Sequence, residues 1–123
     1  MYRIGVWDHF SSAHYLRNYN GKCEHLHGHN WKVEVVLEGN KLDSAGMLID
    51  FGIVKKYLKE VMDILDHKCL NDDIDFFKDL SPSSENIARF IFTELSNRLK
   101  TNDVRVYEVK VFESDNSYAI YRE

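Results

Sequence analysis

The chain has 123 residues, 44% of them hydrophobic and 29% charged, with a formal net charge of −4. That length holds one domain with its own core, and the composition excludes both a disordered chain and a membrane span. The acidic balance argues against a nucleic-acid binder that works through a basic surface, so an anionic ligand must meet local lysines and arginines.

Met1 to Trp7 has neither a basic leader nor a long apolar run, so no export signal is read there and a cytoplasmic protein is expected. Tyr2, Ile4, Val6, Asp8, Phe10, Ser12 and His14 share one parity, which predicts a strand with His14 at its far end on the face of Phe10. Tyr15 to Glu24 is polar, contains Asn20-Gly21 and reads as a turn or loop. A second strand follows from about His27 to Leu37, with Trp31, Val33, Val35 and Leu37 on the side of His29. An antiparallel pair of these strands brings His14 near His27 and His29.

Gly39 to Gly46 is rich in turn residues. Phe51, Val54, Leu58, Val61, Met62 and Leu65 then recur at helical spacing among lysines, which predicts an amphipathic helix. Asp66 to Pro82 reads as a loop with at most a short turn. Ser83 or Ser84 caps a second helix, with Glu85 in its first turn and Ile87, Ala88, Ile91, Leu95 and Leu99 on its buried face. Two strands close the chain, about Val104 to Glu113 and Tyr118 to Tyr121, joined through Asp115-Asn116. The order β-β-α-α-β-β over residues 1–123 is that of a single α+β domain. Both parities of the third strand are apolar, Val104, Val106 and Phe112 against Tyr107, Val109 and Val111, so a sheet apolar on two faces and self-association are expected.

The chemistry-bearing residues crowd the N-terminal third. His27-Gly28-His29 projects two imidazoles from one strand face, and His14 is a candidate third ligand. Three histidines with an open position suit catalytic zinc. His25 shares the parity of His27 and His29, so spacing leaves the ligand set open. A reducing compartment makes both cysteines thiols. Cys69 reads as a small buried side chain, whereas Cys23 lies in a polar, glycine-containing segment within reach of solvent or substrate.

Six segments occur in order along the chain: Phe10-Ser-Ser-Ala-His14, Cys23-x-x-x-His27-Gly-His29, Gly46-Met-Leu-Ile-Asp-Phe51, Leu65-Asp-His67-x-x-Leu70-Asn71, Pro82-Ser-Ser-Glu85 and Phe112-Glu-Ser114. Together they resemble the 6-pyruvoyltetrahydropterin synthase family, and most of all its bacterial 6-carboxytetrahydropterin synthase branch in queuosine biosynthesis. The resemblance implies a T-fold, in which a four-stranded antiparallel sheet carries two helices on one face and trimers close into a barrel, often stacked as hexamers. It implies zinc ligands His14, His27 and His29, and leaves His25 and His9 outside the set.

It further implies Cys23 as the base, Asp66 and His67 as a proton relay, and Glu113 as the pterin anchor with some coupling to the relay. Ser83 and Ser84 are implied in substrate binding. The implied reaction converts 7,8-dihydroneopterin triphosphate to 6-carboxytetrahydropterin with loss of triphosphate and acetaldehyde. The alternatives are a synthase that stops at 6-pyruvoyltetrahydropterin and a non-catalytic zinc- or pterin-binding module. The chain departs from the family pattern at Ser12, where alanine is usual, and at Ser83 and Ser114, where threonine is usual. The spacing of Cys23 from His27 favours the carboxy-forming branch. For the triphosphate, Lys22, Arg17 and Arg89 are the candidate cations.

Overall fold

Uninterrupted alternation carries the first segment through one long strand, β1 (Tyr2–His14), which pairs antiparallel with β2 (His27–Gly39) from Tyr2↔Gly39 to His14↔His27. The computed structural model describes residues 1–22, 24–99 and 101–123. Cys23, expected to be the base, lies outside the described residues. β3 (Val104–Ser114) pairs with β2 and β4 (Ser117–Tyr121) with β3, so the sheet order is β1-β2-β3-β4, all antiparallel.

Two 15-residue helices pack on one face of this sheet, α1 (Phe51–Leu65) and α3 (Ser84–Arg98). Asp50 caps α1 by accepting the Gly52 N–H at 2.7 Å, and Ser83 caps α3 by accepting the Asn86 N–H at 3.2 Å. These caps satisfy helix-end donors that otherwise stay unpaired. α1 lies over β1, and α3 lies over β3 and β4. Val54, Leu58, Val61, Met62 and Leu65 of α1 are buried, but Phe51 is 51% exposed. Phe51 is the first helical residue and stands before the apolar stripe begins, so its expected place in the core is corrected. On α3, Phe90 and Phe92 join Ile87, Ala88, Ile91 and Leu95 in the core, whereas Leu99 is the C-cap and only half-buried.

The stretch expected to be a loop contains a short helix, α2 (Leu70–Asp73), and a 3-10 turn (Asp75–Phe77). Leu70, Ile74 and Phe77 are buried and give this segment its own apolar anchors. Asn71 is also buried; its side chain accepts the Tyr15 N–H at 3.0 Å and donates to the Tyr15 carbonyl at 2.9 Å, imitating a strand partner just beyond β1. Cys69, expected in the core, is half-buried, with its thiol 3.5 Å from Asp72. Its pKa is raised, first by burial.

The two-sided pattern of β3 has a different cause from the one expected. Leu37 pairs with Val106 but Val36 pairs with Glu108, so Tyr107 is an extra residue that forms a β-bulge. Val104 and Val106 face the core before it and Val109 and Val111 after it, all buried. One apolar face has therefore changed parity part-way along, and the alternation of β3 is not evidence for a second apolar face. The outer face carries Lys32, Glu34, Lys110 and the Arg3–Glu38–Arg105 ion cluster, together with exposed Trp7, Tyr118 and Ile120.

Candidate metal centre

Parity along β1 and β2 places Ser12, His14, His27, His29 and Trp31 on the helix-facing side of the sheet, at the end remote from Gly39. His14 and His27 stand directly opposite each other, and His29 follows one pleat later. The three ring centroids are 4.7, 5.1 and 4.8 Å apart, and one nitrogen from each ring lies within 4.8 Å of the other two. Trp31, fully buried, floors the cluster at 5.0 Å from His14 and 5.1 Å from His29, and stacks on Phe10 at 5.8 Å. Burying an indole of about 200 Å² contributes about 5 kcal/mol of hydrophobic stabilisation.

Backbone carbonyls set two of the rings. His14 Nδ1 donates to the Pro82 carbonyl at 2.7 Å and His27 Nδ1 donates to the His25 carbonyl at 2.8 Å. Each bond puts the proton on Nδ1 and leaves the Nε2 lone pair for a cation. His14 Nε2 and His29 Nε2 are buried without a hydrogen-bond partner, which is costly unless a ligand takes the lone pairs. The pKa of His14 lies below its ordinary value of 6.5, chiefly because burial penalises the cation; the Pro82 carbonyl opposes part of that shift. The ring is therefore neutral at pH 7, as ligation requires. A zinc ion with bonds of about 2.0–2.1 Å keeps its nitrogens about 3.4 Å apart, so small ring rotations complete the fit. His25 itself is exposed and supplies its carbonyl, and exposed His9 lies 4.0 Å from Asp8 on the other face.

Glu113 adjoins the imidazoles. Its Oε1 is 3.3 Å from His29 Nε2, and its Oε2 accepts a 3.3 Å hydrogen bond from Ser84 Oγ. The first contact is a charge proximity without hydrogen-bond geometry, since His29 Nε2 is also unpartnered. An open groove of about 420 Å³ continues from Glu113 between Ser84, Glu85, Ser117, Tyr118 and Ile120. Ser84 thus faces the expected substrate position, whereas the Ser83 hydroxyl is engaged as the helix cap. Pro82, Ser83 and Ser84 place a ligand orienter, a cap and a groove residue on consecutive positions.

Asp66 and His67 form the expected pair, with Asp66 Oδ2 2.8 Å from His67 Nδ1. The second oxygen accepts the Ser11 N–H at 2.7 Å, and the His67 N–H donates to the Ser11 carbonyl at 2.6 Å, docking the pair on the edge of β1. His67 holds φ at +56°, a left-handed conformation disfavoured for residues with a side chain. The Asp66 pKa is lowered, first by the Ser11 N–H and then by His67. The His67 ring is 83% exposed, and among the described residues no hydrogen bond or ion pair joins it to the three imidazoles. It shares with His29 the wall of an open hollow of about 360 Å³.

Of the candidate cations, Arg17 is engaged elsewhere. Its Nη1 donates to the Phe77 and Leu80 carbonyls at 2.5 and 3.2 Å, which ties the loop after β1 to the segment before α3. Lys22 and Arg89 are exposed. Glu24, next to Cys23, exchanges two hydrogen bonds with Leu16: its carboxylate accepts the Leu16 N–H at 3.0 Å, and its own N–H donates to the Leu16 carbonyl at 2.9 Å. That carboxylate closes the loop. Pro82, Ser11, Trp31 and Asn71 did not emerge as site residues from sequence, and the two backbone carbonyls leave no signature there.

Among the described residues, no helix is long and apolar enough to cross a membrane. The family model described as 6-pyruvoyl tetrahydropterin synthase matches residues 3–123. A 6-pyruvoyl tetrahydrobiopterin synthase of Dictyostelium discoideum is 37% identical, over 92% of this chain and 90% of its own. A 6-carboxy-5,6,7,8-tetrahydropterin synthase of Bacillus subtilis is 35% identical, over 93% and 80%. The solved 6-pyruvoyl tetrahydropterin synthase of Caenorhabditis elegans superposes with a TM-score of 0.85 at 28% identity, covering 99% of this chain and 95% of that one. With the family model spanning nearly its whole length and the four-stranded sheet and helices matching a solved member, this chain belongs to the 6-pyruvoyl tetrahydropterin synthase family.

Proposed function

We propose that the chain is a zinc-dependent lyase that converts 7,8-dihydroneopterin triphosphate and one water to 6-carboxy-5,6,7,8-tetrahydropterin, acetaldehyde and triphosphate, in queuosine biosynthesis. The observation that carries this reading is the triangle of His14, His27 and His29, with two rings oriented by carbonyls and Glu113 beside the third. Zinc held there supplies a dipositive charge that acidifies substrate hydroxyls. Glu113 accepts hydrogen bonds from the adjacent ring N–H and amino groups of the pterin, each worth about 1.5–3 kcal/mol. Ser84 steadies that carboxylate through its hydroxyl, and Ser83 holds the helix end that carries Ser84.

Cys23, as a thiolate, removes the side-chain proton. His67 returns a proton, with Asp66 fixing its tautomer and supporting its charged form. The exposure of His67 suits a relay that meets Cys23 across a subunit boundary, so activity requires a homo-oligomer, a trimer or hexamer closed through the sheet edges. Exposed Trp7, Tyr118 and Ile120 on β1 and β4 support such an assembly. A thiolate base also suits the reducing cytoplasm.

Relatives of similar identity bear both the carboxy- and pyruvoyl-forming names, so product identity is the decisive test. Mass analysis of the zinc-loaded protein with dihydroneopterin triphosphate is expected to find the carboxylated pterin and acetaldehyde. A pyruvoyl product without acetaldehyde would refute the carboxy assignment. Cys23→Ala is expected to retain zinc and lose turnover; wild-type turnover in that variant would refute the thiolate base. Absence of turnover in the wild type would leave a binding module.

A further inference from the structure

Among the described residues, four buried side-chain polar atoms lack a hydrogen-bond partner: Ser12 Oγ, His14 Nε2, His29 Nε2 and Trp31 Nε1. All belong to the same face of β1 and β2. A cation accounts for the two imidazole nitrogens. It does not account for the others, because the indole N–H only donates and a serine hydroxyl is not among the usual zinc ligands.

The two unexplained groups are neighbours. The register sets Ser12 opposite His29 and Phe10 opposite Trp31, so Ser12 borders His29 across the strands and Trp31 on the diagonal. Ser12 is 8% exposed and Trp31 0%. His29 is also incomplete in another respect. His14 and His27 each have a carbonyl on Nδ1, but among the described residues His29 has none. With its Nε2 turned toward Glu113, its Nδ1 remains to be oriented.

We propose that Ser12 and Trp31 form an oxygen-binding subsite that holds one water and, through it, orients His29. The water accepts hydrogen bonds from Trp31 Nε1–H and His29 Nδ1–H and donates one to Ser12 Oγ. Three bonds are the usual complement of a buried water. The subsite supplies the third ligand with the outer partner that carbonyls supply to the other two. Ser12 is a positioning residue, and its assignment rests on the zinc reading above.

The test is zinc affinity by chelator competition, with thermal melting of the metal-free proteins alongside. Ser12→Ala and Trp31→Phe are each expected to weaken zinc about 10- to 100-fold. Since both changes remove the same water, the double variant is expected to lose no more than the weaker-binding single variant. Ser12→Thr, which restores a hydroxyl, is expected to recover most of the affinity. The metal-free Ser12→Ala protein is expected to melt cooperatively.

Should Trp31→Phe fail to fold, the alanine and threonine variants at position 12 decide the matter. Wild-type affinity in Ser12→Ala, or a double variant whose loss is the product of the two single losses, overturns the subsite. A wild-type protein that takes up no zinc overturns the functional reading and this inference together. Zinc uptake with an unaffected Ser12→Ala overturns this inference alone.

Discussion

Replacing His27 with alanine separates the metal from the fold more cleanly than any other change at this centre. His14 is buried and tied to Pro82, so its loss perturbs the core, but His27 is only half-buried at the strand end. Its removal from the metal-free protein is expected to cost within about 0.5 kcal/mol, as for other substitutions that leave no cavity or orphaned group. Unfolding entropy of about 2.1 cal/mol/K per residue gives about 0.26 kcal/mol/K for a chain of this length, so that cost is about 2 °C in Tm. On the proposed zinc reading, zinc at a free concentration of 100 times its Kd is expected to add about 2.7 kcal/mol to the wild type, which is about 10 °C.

Differential scanning fluorimetry with and without zinc reads both quantities. His27→Ala is expected to melt near the metal-free wild type and to show little or none of the zinc-dependent rise. The informative control is His25→Ala, which keeps the carbonyl that orients His27 and is expected to rise like the wild type. A full rise in His27→Ala, or its loss in His25→Ala, would refute the ligand assignment.

Three further outcomes are expected. Because burial depresses the His14 pKa below 6.5, the unfolded chain takes up its proton first as the pH falls. The metal-free protein therefore has the full contribution of the neutral ring above about pH 6.5 and loses it progressively below; a His14→Gln variant whose melting temperature follows pH as steeply would contradict this origin. Glu113→Gln is expected to lower kcat/KM about 10- to 100-fold through lost pterin bonds while leaving zinc affinity within a few-fold, measured by steady-state kinetics and chelator competition. Gly39→Ala would bring its Cβ into the Asp103 carbonyl oxygen and to 2.8 Å from Leu48 Cδ1, and is expected to destabilise by about 1–3 kcal/mol in urea unfolding. Gly5→Ala, whose Cβ meets the Val35 oxygen at 3.4 Å, is expected to be far milder.

The strands and helices were largely legible because their apolar residues keep a fixed period, and the cluster of His14, His27 and His29 because the family motifs lie in register along the chain. Spacing alone had left His25 equivalent to His27 and His29. What separates them in three dimensions is that His25 turns a carbonyl to its neighbour while the rings of His27 and His29 converge with His14. The carbonyls of Pro82 and His25 were illegible because every residue has one, and only tertiary placement selects these two. α2 was missed because a four-residue helix has too few positions to display a period, and Phe51 was misplaced because a helix's first residue fits the spacing without reaching the core. The bulge was hidden by its own effect, since a strand that changes parity midway reads as one with two apolar faces.

Tyr107 has a bearing on evolution and engineering that its surface position conceals. Glu113 shares the parity of Val109 and Val111, which the inserted residue determines. Were Tyr107 taken into the regular alternation instead of bulging, Val109, Val111 and Glu113 would turn to the outer face, leaving the imidazoles the Phe112 phenyl ring in place of a carboxylate. The bulge therefore fixes chemical identity at a distance, since it sets which side chain of β3 meets His29 without touching any residue around it.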